Sequence, residues 1–239
     1  MIFSIADNIQ NVRKRIQKAT IEAGRTDSAV KLLAVSKTRP AEALLEAMQS
    51  GISCFGENYL NEALDKQREL EALCSAAQLS ALSWHFIGPI QSNKTKAIAE
   101  NFDWVHSVDR LKIAKRLNDQ RPVHLTPLNI CIQVNIDQEE TKSGVLLEAV
   151  PSLIQALKDL PNLKCRGLMC IPNANLGEVS VQQAFMRMKT SYERLKETGS
   201  EIDTLSMGMS GDIETAIKCG STVVRVGTSL FGAREAKQN

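Results

Sequence analysis

The chain has 239 residues, 29 Lys and Arg against 27 Asp and Glu, and a formal net charge of +2. With 43% hydrophobic and 23% charged residues it has the composition of a globular protein with a sizeable core, and no run of like charge offers the footprint of a nucleic-acid binder. No apolar run approaches the roughly 18 residues of a membrane span, and the opening MIFSIADNIQNVRKR lacks a secretory apolar region. Six cysteines (Cys54, Cys74, Cys131, Cys165, Cys170, Cys219) form no CxxC pair and mostly sit in apolar runs. Reduced, buried thiols and a cytoplasmic location are expected.

In chain order, Ile5, Ile9, Val12, Ile16 and Ala19 repeat at helical spacing, with Gly24 as a stop. Short β-like runs then alternate with helical stretches. The runs are 31–37, 53–58, 84–88, 104–108, 128–135, 163–171, 203–209 and 221–227. Helical character follows Pro40, a first-turn proline; Asp109, a candidate N-cap; and Gly144. Several runs are apolar without clean alternation, as in parallel strands covered on both faces. Eight βα units predict an α/β fold, a single-domain (β/α)8 TIM barrel over residues 1–239 with an extra N-terminal helix. An open doubly wound sheet is the alternative, but no GxGxxG follows the first run.

Barrel sites lie at the C-terminal strand ends, and phosphate is often held after strands seven and eight. The seventh run ends in GMSGD (208–212), where Ser210 is placed to cap the next helix and the N–H groups of Gly211 and Asp212 to face an anion. The Asp212 carboxylate must then point away from that anion. The eighth run ends in RVGTS (225–229), with Arg225 as a cation, Gly227 allowing close backbone approach and Thr228 a hydroxyl. The plainer alternative is that these glycines only make turns. Lys37 ends the first run on the face of Leu33 and Val35. With its stem against apolar neighbours its amine is expected to lose basicity, as Schiff-base formation requires; a snorkelling or ion-paired lysine is the alternative. A lysine opposite a phosphate cup fits a phosphorylated aldehyde, of which pyridoxal 5′-phosphate (PLP) is the commonest cofactor.

Six segments in this order, AVSKTRP (34–40), FGENY (55–59), WHFIGPIQSNK (84–94), GLMCI (167–171), LSMGMSGD (205–212) and GSTVVRVGTSLFG (220–232), closely resemble the YggS/PROSC family of PLP homeostasis proteins. The resemblance covers nearly the whole chain. It implies a fold-type III, alanine-racemase N-terminal-domain-like barrel without that enzyme's second domain. It further implies PLP held as a Schiff base on Lys37, Ser210 on the phosphate with Met209 beside that serine, and Arg225, Gly227 and Thr228 as the family's RxGT segment at the cofactor. Vitamin B6 and amino-acid balance is the implied role, with apo PLP-dependent enzymes as recipients, and robust catalysis is not expected.

Other residues carry weaker signals. Asn58 is placed to touch the cofactor ring or fix Lys37, or to cap a turn. His85 reads as core, His106 as near the site, and His124 as an exposed loop residue. No histidines or cysteines stand at metal-ligand spacing. Lys142 is either a second amine for PLP or a solvated loop lysine. An arginine at the pyridine nitrogen would weaken the ring as an electron sink, but the sequence leaves open whether Arg225 faces that nitrogen or the phosphate. Racemisation needs a second acid–base opposite the lysine, for which Tyr59 is the candidate and Tyr192 lies too far off. The expected carrier is monomeric and binds neither nucleic acid nor membrane. The competing readings are a PLP-dependent amino-acid racemase of narrow or low activity, and a Schiff-base aldolase or sugar-phosphate isomerase without PLP.

Overall fold

The structure, a computed structural model, describes residues 4–139 and 141–233. Helix α1 (Ile5–Glu22) comes first, and its N-terminus is closed by a capping box between Ser4 and Asp7. Then follow β1 (Lys31–Val35), α2 (Ala41–Gln49), β2 (Cys54–Glu57), α3 (Leu60–Leu73), α4 (Ala76–Ser80), β3 (Ser83–Phe86), α5 (Thr95–Asn101) and β4 (Trp104–Val108). The second half is α6 (Leu111–Gln120), β5 (Leu128–Val134), α7 (Val150–Leu157), β6 (Leu163–Cys170), α8 (Glu178–Glu197), β7 (Thr204–Ser206), α9 (Ile213–Lys218), β8 (Val223–Val226) and α10 (Thr228–Phe231). All eight strands are parallel and pair in sequence order. The barrel closes where Lys31–Ala34 run beside Val223–Val226. The eight runs read from the sequence are the eight strands of a single (β/α)8 barrel.

Period-two alternation divides the side chains. Ala34, Phe55, Val224 and Val226 face outward into the layer under the helices, where the apolar face of α1 (Ile9, Val12, Ile16, Ala19) joins them. Leu33, Val35, Cys54, Ile87 and Val223 form a smaller apolar cluster that includes the inward positions of β1 and β8. Barrel interiors are commonly filled by branched apolar residues. Here four buried polar side chains, His85, His106, Ser206 and Arg225, join one another by hydrogen bonds across strands β3, β4, β7 and β8.

Several local expectations are corrected. Helix α6 starts with Arg110, not Asp109, at the N-cap and has no side-chain cap; Asp109 instead takes the Arg110 guanidinium at 2.6 and 2.8 Å. Pro40 is the N-cap of α2 (φ −73°, ψ 164°) rather than a first-turn residue. After Gly144 the chain first bridges Val145 to Val134 and makes a short 3-10 turn, so α7 begins only at Val150. The run 203–209 shortens to three residues because Gly208, at φ 97°, turns the chain where a Cβ would stand 2.5 Å from that of Ala216.

Candidate functional site

At the C-terminal mouth of the barrel lies a cavity of about 250 Å³. Its lining includes Lys37, Asn58, Met209, Ser210, Gly211, Arg225, Gly227 and Thr228, all of them expected at the cofactor from the sequence, but not Asp212, Lys142, Tyr59 or His106. Val35, Ile87 and Ile171 give it an apolar side, and Thr38, Arg39 and Gly232 complete it. Among the described residues its ionisable lining is basic (Lys37, Arg39, Arg225), with no carboxylate. The field of such a cavity favours an anion.

The loop after β7 is held from three sides. Asp212 turns its carboxylate back to accept the Met209 N–H at 2.5 Å, and burial raises its pKa. The Asp212 amide donates to the Met209 carbonyl, so it is not the anion donor expected from the sequence. Nor does Ser210 cap α9, whose N-cap is Asp212. The Ser210 hydroxyl accepts from the Ser229 N–H at 3.3 Å and so ties the loop after β7 to the first turn of α10, which follows β8. A hydroxyl that accepts keeps its own proton for a further acceptor. From α1, Arg15 donates to the Ser210 carbonyl (3.2 Å) and grips Glu214 at 2.7 and 2.8 Å, while Asn8 reaches the Leu230 carbonyl. Gly227 serves closure of the barrel more than ligand approach, since a Cβ there would lie 3.2 Å from the Val35 carbonyl oxygen.

Arg225 is buried, and burial lowers its pKa. One guanidinium nitrogen donates to both the carbonyl and the hydroxyl of Ser206, each at 2.7 Å, and the other donates to the Cys170 carbonyl at 2.9 Å. Ser206 Oγ stands 2.9 Å from His106 Nδ1, His106 Nε2 is 2.9 Å from His85 Nδ1, and His85 Nε2 is 3.1 Å from Ser83 Oγ. Arginine only donates. The assignment that gives each proton an acceptor therefore runs one way, from Arg225 through Ser206, His106 and His85 to Ser83, with both imidazoles neutral and protonated on Nε2. Burial pushes the His85 pKa down to about 3 and that of His106 well below the usual range. His106 thus acts on the site through Ser206 and does not line the cavity. Ser83 and His85 line a separate cavity at the opposite end of the barrel.

The alanine racemase N-terminal domain family matches residues 4–235. The pyridoxal phosphate homeostasis protein of Pseudomonas aeruginosa is 55% identical over 97% of this chain and 96% of its own. That of Escherichia coli K12 is 48% identical over 97% of both chains. The chain belongs to the pyridoxal phosphate homeostasis protein family. PipY of Synechococcus elongatus PCC7942, 34% identical over 96% of this chain and all of its own, superposes with a TM-score of 0.83 in its structure without PLP and 0.75 in its structure with PLP bound.

In this member of the pyridoxal phosphate homeostasis family a second compartment of about 260 Å³ adjoins the first, sharing Asn58, Ile87 and Ile171 with it. The Asn58 side-chain oxygen is buried there with no hydrogen-bond partner. Lys142 lines the second compartment but pairs with Asp137 (2.8 Å) and Glu139 (3.3 Å). Burial pulls its pKa down, but these two carboxylates outweigh burial and the net shift is upward. A protonated, paired Lys142 fits neither a second nucleophilic amine nor a solvated loop lysine. Tyr59 is 55% exposed and does not line the cavity, and buried Tyr192 donates to the Ile202 carbonyl on the far side of α8. His124 is exposed. Among the described residues no group of three or more His, Cys, Asp or Glu is placed to hold a metal ion, and no helix is long and apolar enough to cross a membrane. Sequence reading missed Arg39, which donates to the Gly232 and Ala233 carbonyls (2.6 and 2.9 Å) and ties the segment after Lys37 to the end of α10. Its place two residues after Lys37 was the available signal. It also missed Arg15, which no local motif marks.

Proposed function

We propose that this chain is a PLP carrier that holds the cofactor in the mouth cavity, bound covalently to Lys37. The observation that carries the reading is one cavity lined by a lysine, a buried arginine and two hydroxyl-bearing loops, with no acid facing it among the described residues. The donor set suits the group: Ser210, Gly211 and Thr228 lie at the strand ends that favour phosphate, and the unsatisfied Asn58 oxygen needs a donor. PLP supplies an aldehyde that condenses with a neutral amine, with loss of water. Lys37 provides that amine, Ile87 and Ile171 shield one side of it, and the Ser210 loop anchors the anion. Arg225, drawn across to β6 and β7 by Cys170 and Ser206, is assigned to the ring end and not the phosphate. A donor-only guanidinium at that end disfavours carbanion chemistry.

The lining supports carriage over racemisation, since among the described residues it contains no Tyr, His, Cys or carboxylate to oppose Lys37 as a second acid–base. We further assign the protein to the cytoplasm, as a monomer that passes PLP to apo-enzymes. The deciding experiment is a visible spectrum of the purified protein with PLP, followed by borohydride reduction and peptide mapping. A pyridoxyl group on Lys37 is expected. A colourless protein without adduct would defeat the reading.

A further inference from the structure

Behind the strand end that presents Lys37 lies a buried ionic cluster. Lys66, on α3, is 5% exposed and donates to Glu57 at 2.7 Å, to Glu62 at 2.6 Å and to the Ser36 carbonyl at 2.7 Å. Glu57, fully buried at the end of β2, accepts the Ser36 hydroxyl at 2.6 Å through the same oxygen that takes Lys66. Glu62, in the first turn of α3, accepts the Thr38 N–H as well as Lys66. The two residues flanking Lys37 are therefore both held by this cluster, Ser36 by its hydroxyl and carbonyl and Thr38 by its amide.

Thr38 has φ 65°, a left-handed conformation that a β-branched residue adopts only when its surroundings impose it. It is the third residue of a turn closed by the Arg39 N–H on the Ser36 carbonyl, and the Glu62 carboxylate accepts the Thr38 N–H. The second Glu57 carboxylate oxygen is buried with no hydrogen-bond partner, so the cluster is not arranged for stability alone. The cluster lies on the helix side of the sheet, because Ser36 shares the outward face of Ala34, whereas Lys37 lines the mouth cavity.

We propose that Glu62 and Lys66, with Glu57, are positioning residues for Lys37: they fix the Ser36–Thr38 backbone so that the lysine amine is delivered to the cavity in one geometry. The proposal rests on the reading of Lys37 as the PLP-binding amine. Glu57, Glu62 and Lys66 do not line the cavity, and α3 thereby sets the geometry of a loop that follows β1.

The test compares Glu62→Ala with Glu62→Gln in the full chain; the Glu62 side chain is 29% exposed, so both substitutions fall outside the sealed core. Glutamine keeps an oxygen for the Thr38 N–H and for Lys66, and alanine does not. Two readouts are followed: the rate of the visible absorbance change on adding PLP, and hydrogen exchange of the Thr38 amide without PLP. In Glu62→Ala the adduct forms about tenfold more slowly, as expected for a misplaced reacting group, and Thr38 loses protection. In Glu62→Gln most of the rate and the protection return. A wild-type rate in Glu62→Ala overturns the proposal, as does equal slowing in both variants. A wild-type protein that forms no adduct would remove the PLP reading instead. The exchange arm would then still judge the clamp, supported by loss in Glu62→Ala with recovery in Glu62→Gln and overturned by unchanged protection.

Discussion

Arg225 and Ser206 are joined twice, since one guanidinium nitrogen donates at 2.7 Å to both the carbonyl and the hydroxyl of the serine. The pair spans β8 and β7 at the floor of the mouth cavity. Because the hydroxyl accepts from arginine, it donates its own hydrogen to His106 Nδ1, which makes Ser206 the hinge between the cavity and the buried imidazoles.

Ser206→Ala removes the hydroxyl and keeps the carbonyl. His106 loses the partner of its Nδ1 and Arg225 one of its three anchoring bonds. A loss of stability of about 1–3 kcal/mol is expected for the buried group left unsatisfied, together with weaker PLP binding. Denaturant unfolding and an absorbance titration measure the two effects. Unchanged values in both would show that the hydrogen-bond chain carries no energy.

Arg225→Gln should loosen PLP by roughly 1.5–3 kcal/mol, the worth of a charge-assisted hydrogen bond. The amide cannot reach Ser206 and Cys170 together, so thermal stability should fall as well. An unaltered dissociation constant would take Arg225 out of the site.

Lys37→Ala is expected to abolish the borohydride-trapped adduct and to leave weak binding through the Ser210 and Thr228 loops, detectable as competition by inorganic phosphate. Trapping of undiminished yield at another lysine would reassign the amine.

Arg15→Ala tests the grip of α1 on the Ser210 loop. The ion pair with Glu214 is more than a third exposed, so solvent screens it and the stability loss should stay under about 1 kcal/mol. Phosphate competition should change more than the melting temperature does, since the Ser210 carbonyl loses its anchor.

Stability should depend on pH through the two buried imidazoles. The folded pKa of His85 is about 3 and that of His106 also lies well below its ordinary value, whereas the unfolded chain titrates near 6.5. Below pH ~6.5 the unfolded state binds more protons, so stability is full above that pH and falls as the pH drops toward the folded values. Each histidine adds a slope approaching ~1.4 kcal/mol per pH unit in that window. Denaturant unfolding at pH 7, 6 and 5 should show His85→Gln with a shallower decline than wild type. Parallel declines would mean that His85 is protonated in the folded protein.

The strands were legible because parallel strands buried on both faces read as apolar runs, and the mouth residues because Gly, Ser and Thr at two strand ends are hard to place elsewhere. The axial chain was not legible. His85, His106 and Ser206 lie on β3, β4 and β7, and sequence spacing does not say which inward side chains meet across a barrel. No motif marks Lys66 in the sequence; only the fold brings Glu57 and Ser36 to it. Caps went astray where a nearby charge took the capping group, as Arg110 took Asp109. Likewise, Asp212 became the N-cap of α9 while its carboxylate turned back to Met209.

Helix α1 precedes the barrel in sequence, yet through Asn8 and Arg15 it holds the segments after the last two strands. The helix and the two segments that close the anion side of the mouth therefore form one mechanical unit, and any displacement of α1 would strip Ser210 and Leu230 of these anchors together.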